Sequence, residues 1–302
     1  MNTQANRLVG LLLTPLLGAC FLAGCGDDRS AGDEGPTNSE SLKTQEKRAR
    51  EVADAWHGSA AAAAWSRGYY PLADTTQPPE SGWHSEADKQ AYENRNIVRR
   101  GKLPTTAITQ GKVEWRSGST LSRPLVAPNT AYQSFAHYNN AGPRLSVTGV
   151  KLGETTIATS RGTATVPAWL FTLDGYDTPL KQVAVTPSKL PRSPIGRVEQ
   201  GSTGGLWSVT GLSGRAVDSR VLTVRAGHGA CDDGPVVNVL ETDESIVLYA
   251  SVAGERSGAC SAQMIYQNVK VELRQPLADR VVLDALTARP VPYTEISGVI
   301  PG

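Results

Sequence analysis

Val269-Lys270-Val271-Glu272-Leu273 alternates apolar and charged residues one by one, and Val221-Leu222-Thr223-Val224-Arg225 nearly repeats the pattern. Successive side chains of an extended chain point to opposite faces, so such a run has one face for a core and one for water. Working outward, runs of the same kind recur at 112–116, 145–151, 164–173, 182–185, 206–212, 220–225, 236–240, 245–252, 264–273 and 280–283. Val and Thr are frequent in them, and Gly and Pro punctuate the intervals. Short strands with turns every 8–12 residues or so predict a mainly antiparallel, β-sandwich-like body.

Upstream the period changes. Ala49, Val52, Ala53, Trp56, Ala60, Ala63 and Ala64 fall three or four residues apart, on one face of a helix, while Lys47, Arg50, Glu51 and Asp54 take the other. The alanine run 60–64 favours helix, and Gly68 is suited to end it. One amphipathic helix over 41–67, packed on the β-body, makes the fold class α+β. A second short helix is expected within 85–100, after the turn-rich stretch 77–82.

The N-terminus is of another kind. Residues 1–7 hold one cation, Arg7, and no acid; residues 8–22 are apolar except for Thr14, Pro15 and the small residues, and lead into Leu22-Ala23-Gly24-Cys25. A positive start, an apolar core and small residues before a cleavage point describe a secretory signal. The apolar run falls short of the roughly 20 residues that span a bilayer. Leu22-Ala23-Gly24-Cys25 resembles a bacterial lipobox, which implies that residues 1–25 form a lipoprotein signal whose cysteine, Cys25, is joined to diacylglycerol. Leu17-Gly18-Ala19-Cys20 is a second candidate. Cys25 is preferred because it leaves a fuller apolar stretch and opens directly into Gly26-Asp27-Asp28-Arg29. Two acyl chains hold a protein on a membrane firmly where one does so marginally. Residues 26–40 contain almost nothing able to form a core and read as a flexible tether.

The whole chain resembles bacterial lipoproteins of actinobacterial type in its lipobox, its polar tether and the runs at 53–59, 226–233 and 281–285. That resemblance implies location on the outer face of the cell membrane, with the membrane as a partner through the lipid. It implies no activity.

Four cysteines are present. Cys20 departs with the signal and Cys25 carries the lipid, leaving Cys231 and Cys260 in a compartment where disulfides persist. A Cys231–Cys260 disulfide closing about 30 residues would contribute roughly 3–4 kcal/mol in the chain-entropy model. The competing reading is a metal site on His228, Cys231, Asp232 and Asp233, whose side chains are suitable ligands. No second ligand pair has the paired spacing of a zinc site, and no metal or cofactor is assigned.

The expected domain plan is completed by a helical segment over 41–103 and two β-units, 104–190 and 204–302, joined by a linker rich in Pro, Ser and Gly. Whether the units are repeats is open. Residues 145–147, 164–170 and 179–185 echo 222–224, 245–251 and 276–283. A rival register pairs Ser146-Val147-Thr148-Gly149 with Ser208-Val209-Thr210-Gly211.

Chemistry is mostly marked by missing motifs. After the signal, 29 Lys plus Arg face 29 Asp plus Glu. That balance gives no compositional reason to expect nucleic acid, or an anionic membrane beyond the lipid. The four histidines, His57, His84, His137 and His228, form no His-Glu-x-x-His. Gly-x-Ser-x-Gly, Ser-x-x-Lys and phosphate-loop patterns are absent, and Gly201-Ser202-Thr203-Gly204-Gly205 reads as a turn. Glu114, Asp174, Asp177, Glu241, Asp243 and Glu244 are the carboxylates that could serve a glycosidase, which needs two across a cleft. Of Trp83, Trp115, Trp169 and Trp207, Trp83 beside Gly82 is the one placed to line a groove. The expectation is a non-catalytic binding or accessory module of the cell envelope with a protein or glycan partner and unassigned ligand residues. The alternative is a hydrolase of cell-wall or extracellular polymer acting through a carboxylate pair.

Overall fold

The computed structural model describes residues 38–104, 109–137, 142–199, 204–213, 219–254 and 260–294. In chain order the elements are α1 (Asn38–Trp56), α2 (Ala60–Arg67), β1 (Thr76–Gln77), α3 (Glu86–Glu93), β2 (Ile97–Arg99), β3 (Gln110–Trp115), β4 (Thr120–Pro124), α4 (Pro128–Phe135), β5 (Leu145–Thr159), β6 (Gly162–Leu173), β7 (Leu180–Val183), β8 (Val209–Ser213), β9 (Val221–Gly229), β10 (Gly234–Glu241), β11 (Ser245–Ala253), β12 (Met264–Glu272), β13 (Val281–Asp284) and β14 (Arg289–Pro290). The described chain is mixed α+β, with its strands in three mostly antiparallel sheets.

The first sheet is built on the β5–β6 hairpin, paired from Val147↔Leu173 to Thr159↔Gly162. The free edge of β6 is shared: β3 pairs with Thr165 and Ala164, and β7 with Ala168 to Phe171. Burial along β6 changes phase at that point. Ala164, Val166 and Ala168 are buried in the first half, and Trp169, Phe171 and Leu173 in the second. Side chains alternate across a strand, so the two halves of β6 bury opposite faces. Ala164 and Val166 join Tyr69, Val113, Trp115 and Ile157 in one core. Trp169, Phe171 and Leu173 join Leu145, Val147, Ala91 of α3, and Ala131 and Phe135 of α4 in another.

The second half of the chain forms a four-stranded sheet, β10-β11-β13-β14, and a three-stranded sheet, β12-β9-β8. Strand β11 is buried on both faces and reads as a continuous apolar run, Ile246 to Ala250. Ile246, Leu248 and Ala250 share a core with Val209, Leu212, Leu222 and Val224 of the three-stranded sheet. Val247, with Val281 and Leu283, packs instead against Ala49, Val52, Ala53 and Trp56 of α1 and Ala61 and Trp65 of α2. The buried Arg48 secures α1 there, donating from Nε to the Ala285 carbonyl at 3.2 Å and from Nη2 to the Gly196 carbonyl at 2.6 Å.

The helix expected over 41–67 is two helices. Gly58 takes a left-handed φ of +63° after α1, and the Ser59 hydroxyl accepts from the Ala62 N–H to cap α2. The apolar spacing hides the break because both helices pack on one core. Helix α1 begins at Asn38, so residues 38–40, read as tether, are helical. The segment 41–103 is not purely helical either. It supplies α1 and α2 to the second half of the fold but β1 and β2 to the first sheet, where they pair with β7 and β5. The short helix expected within 85–100 is α3, and β2 follows it. Helix α4, opened by Pro128, has no counterpart in the sequence reading. The linker, described as far as residue 199, has no regular structure, yet Ile195 and Val198 pack on the helix core.

The echoed strands do not repeat as a topology. Strand β5 pairs with β6, which pairs antiparallel with β7; in the supposed copy β9 and β11 lie in different sheets, and β11 pairs parallel with β13. The rival register marks something local. Both Ser-Val-Thr-Gly segments carry a β-bulge, between Val147 and Gly149 and between Val209 and Gly211. In each, the exposed threonine donates its hydroxyl to the carbonyl of the residue opposite the glycine: Thr148 to Thr172 at 3.4 Å, Thr210 to Arg225 at 3.1 Å. The shared tetrapeptide encodes a shared bulge.

Candidate functional site: a basic groove beside α4

Strand β2 pairs parallel with the start of β5, Ile97 opposite Leu145. The Arg100 N–H extends the ladder to the Val147 carbonyl at 2.9 Å. The chain then runs Arg100-Gly101-Lys102-Leu103-Pro104. At Gly101 a Cβ would stand 2.6 Å from the Thr148 carbonyl oxygen, so a side chain there would push the segment off β5. Helix α4 starts alongside. Ala127 is extended and provides no side-chain cap, and Pro128 presets φ for the first turn. The N–H groups of Asn129 and Thr130 belong to that first turn and have no acceptor within the helix.

Two adjoining depressions, of about 520 Å³ and 610 Å³, share Arg99 and Asn129 and together form a shallow trough. Its cations are Arg99, Arg100, Lys102 and Arg144, all exposed, and among the described residues no carboxylate lines it. The Arg99 guanidinium lies 6.0 Å from the Tyr132 ring centroid, and its Nη1 is 3.5 Å from Asn129 Oδ1. Tyr132 donates its hydroxyl to the Ile97 carbonyl at 2.7 Å. Burial pushes its pKa above the ordinary phenol value, against the opposing charge of Arg99. Arg100 approaches Asp174 at 3.8 Å, both exposed, a contact of little strength in water. Lys102 and Arg144 make no ion pair among the described residues. Exposed guanidinium forks, an ammonium group and a helix N-terminus converge here, an arrangement that attracts anions.

Apart from Asp174, which faces Arg100, the residues singled out from sequence lie elsewhere. Cys25 and Cys20, like Ser202 and Thr203, fall outside the described residues. Cys231 and Cys260 are joined by a disulfide, their Cα atoms 6.0 Å apart. Around it Asp232 accepts from the Gly229 N–H at 2.7 Å, and His228 is buried with Nδ1 2.8 Å from the Gly229 carbonyl oxygen. Among the described residues no three His, Cys, Asp or Glu side chains are grouped to hold a metal, and no helix is long and apolar enough to cross a membrane.

The candidate carboxylates are dispersed, and four of them have a basic partner, three a Lys or Arg and one a His. Glu114 pairs with Lys112 at 2.9 Å, Asp174 with Arg100, Glu241 with Arg280 at 2.8 Å and Glu244 with His57 at 2.9 Å. Asp177 and Asp243 are exposed. Trp115 and Trp169 are core residues, and Trp207 packs against the core between the two smaller sheets. Trp83 lines neither of the two depressions and packs against Tyr92 and Tyr176 with ring centroids 4.8 Å and 6.0 Å away. His84 stacks on Tyr176 at 4.0 Å, and His137 is exposed.

Sequence reasoning missed the groove. Arg99-Arg100-Gly101-Lys102 was visible as a basic run, but the overall charge balance concealed it, and Arg144 joins it only through the β2–β5 pairing. Comparison with protein-family models, with curated proteins and with solved structures found no match.

Proposed function

We propose that the protein is a lipid-anchored module on the outer face of a membrane, tethered through Cys25, whose folded part binds an envelope ligand without transforming it. The lipobox-like Leu22-Ala23-Gly24-Cys25 and the polar stretch after it support the anchor. In this reading the second half of the chain is a β-sandwich-like body, its four- and three-stranded sheets enclosing one core and α1 and α2 packed on the outer face. The observation that carries the binding role is the groove: four exposed cations and, among the described residues, no lining acid, in a chain whose charges balance overall.

Intact mass spectrometry of protein purified from membranes, before and after reduction, tests the anchor. The expected mass is that of residues 25–302 plus diacylglycerol, rising by two hydrogens when the Cys231–Cys260 bond is reduced. A mass that retains the first 24 residues and carries no lipid would overturn the tethered reading.

A further inference from the structure

We infer that the groove along Arg99, Arg100, Lys102 and Arg144 binds a phosphodiester-linked polymer that carries no bases, such as a polyol or glycan phosphate of the envelope. The inference rests on the binding-module reading above and names its ligand class.

The trough determines the ligand's shape. Its two depressions run side by side and meet at Arg99 and Asn129. Small-molecule sites are usually enclosed and mostly apolar, whereas this trough is open and its cations are distributed along it. An elongated ligand with charges at intervals can meet several of them at once.

The donors determine the ligand's charge. Three arginines offer planar forks that match the paired oxygens of a phosphate or carboxylate, and Lys102 adds a point charge. At the shared middle of the trough the first turn of α4 presents backbone N–H groups with no capping side chain. A helix N-terminus with convergent cations favours phosphate.

The described aromatic content argues against a base-reading role. Proteins that hold single-stranded nucleic acid stack successive bases on exposed aromatic rings. Among the described residues Tyr132 is the one aromatic side chain lining the trough. Its hydroxyl is engaged by Ile97, and Arg99 lies over its ring.

The test uses the full lipidated protein in zwitterionic lipid nanodiscs. Inorganic polyphosphate is the probe, with polyglutamate as the carboxylate control and phosphatidylglycerol vesicles as competitor. Polyphosphate is expected to bind, with affinity falling as salt rises because counterions are released from the polyanion. Arg99→Gln and Arg144→Gln should each weaken binding about tenfold, roughly 1.4 kcal/mol, while Lys43→Gln on α1 leaves it unchanged. All three variants should keep the thermal unfolding midpoint. Polyglutamate binding as tightly as polyphosphate, or binding indifferent to Arg99 and Arg144, overturns the inference. Vesicles that compete fully in native protein but not in the arginine variants would assign the groove to lipid headgroups and overturn the polymer. If no polyanion binds while the mass spectrum shows the lipidated chain, the ligand class fails and the anchor stands.

Discussion

Arg280 donates from Nη1 to Glu241 Oε2 across 2.8 Å, with the two side chains only 9% and 6% exposed. Glu241 also accepts the Arg274 N–H at 2.7 Å, and Arg280 Nη2 holds the carbonyls of Gln275 and Pro276 at 2.8 Å each. This lock joins the end of β10 to the loop before β13. Removing one partner of such a pair leaves the other charge buried, a loss of about 3–5 kcal/mol. Glu241→Ala should therefore lower the urea unfolding free energy by that order. Burial alone would raise the Glu241 pKa, but the Arg274 N–H and the Arg280 guanidinium outweigh it and hold the carboxyl below its usual range. A carboxyl depressed in the folded state contributes stability above its unfolded pKa and loses it as pH falls through the folded value. The gap between native protein and Glu241→Gln should therefore narrow in acid, and a gap independent of pH would refute the role given to this pair.

Asp284 behaves in the opposite sense. It is 2% exposed and accepts four hydrogen bonds, from Ser208 Oγ at 3.1 Å, Val209 N at 3.2 Å, Thr287 N at 3.0 Å and Thr287 Oγ1 at 2.7 Å. The carboxylate fastens the turn after β13 to the start of β8. Desolvation raises its pKa, and the four donors only partly offset that. A raised carboxyl pKa favours folding most below the unfolded value, and the contribution declines as pH rises through the folded one. Asp284→Ala should cost about 3 kcal/mol because buried donors lose their acceptor. Asp284→Asn, which keeps an acceptor oxygen without charge, should cost about 1 kcal/mol and remove the pH trend. Urea titrations of both variants from pH 4 to 8 would show this; an Asp284→Ala protein as stable as the native chain would dismiss the clasp.

The break between α1 and α2 is a third point of test. At Gly58 a Cβ would meet nothing within 4 Å, so Gly58→Ala introduces only the strain of φ +63°. That strain should cost about 1 kcal/mol. Ser59→Ala removes the α2 cap and should cost a similar amount, about 1 kcal/mol. If the two helices were one continuous rod in solution, Gly58→Ala would stabilise it instead, by about the same amount. Thermal unfolding distinguishes the two signs.

The strands were the most legible feature. Ten of the observed strands, β3 and β5 to β13, overlap the ten runs read from apolar alternation and Val-Thr content, because local burial pattern and extended backbone act over the same few residues. The bulges at Thr148 and Thr210 were visible as a repeated tetrapeptide but were interpretable only with the opposing strands in place. The helix break was hidden because Gly58 and Ser59 leave both helices on one core.

The groove shows where reading a chain in one dimension stops. Arg99, Arg100 and Lys102 are neighbours in sequence, yet their total charge says nothing until Arg144 arrives through β2–β5 pairing and α4 sets its first turn beside them. What the sequence by itself determined was local: the strand runs, the helical faces, the odd apolar start and the cysteines remaining for a disulfide. Tertiary structure alone decided which face of β6 is buried in each half, how the strands are ordered, and which cations converge. Those outcomes depend on contacts between residues far apart in the chain, whose energies no local pattern contains.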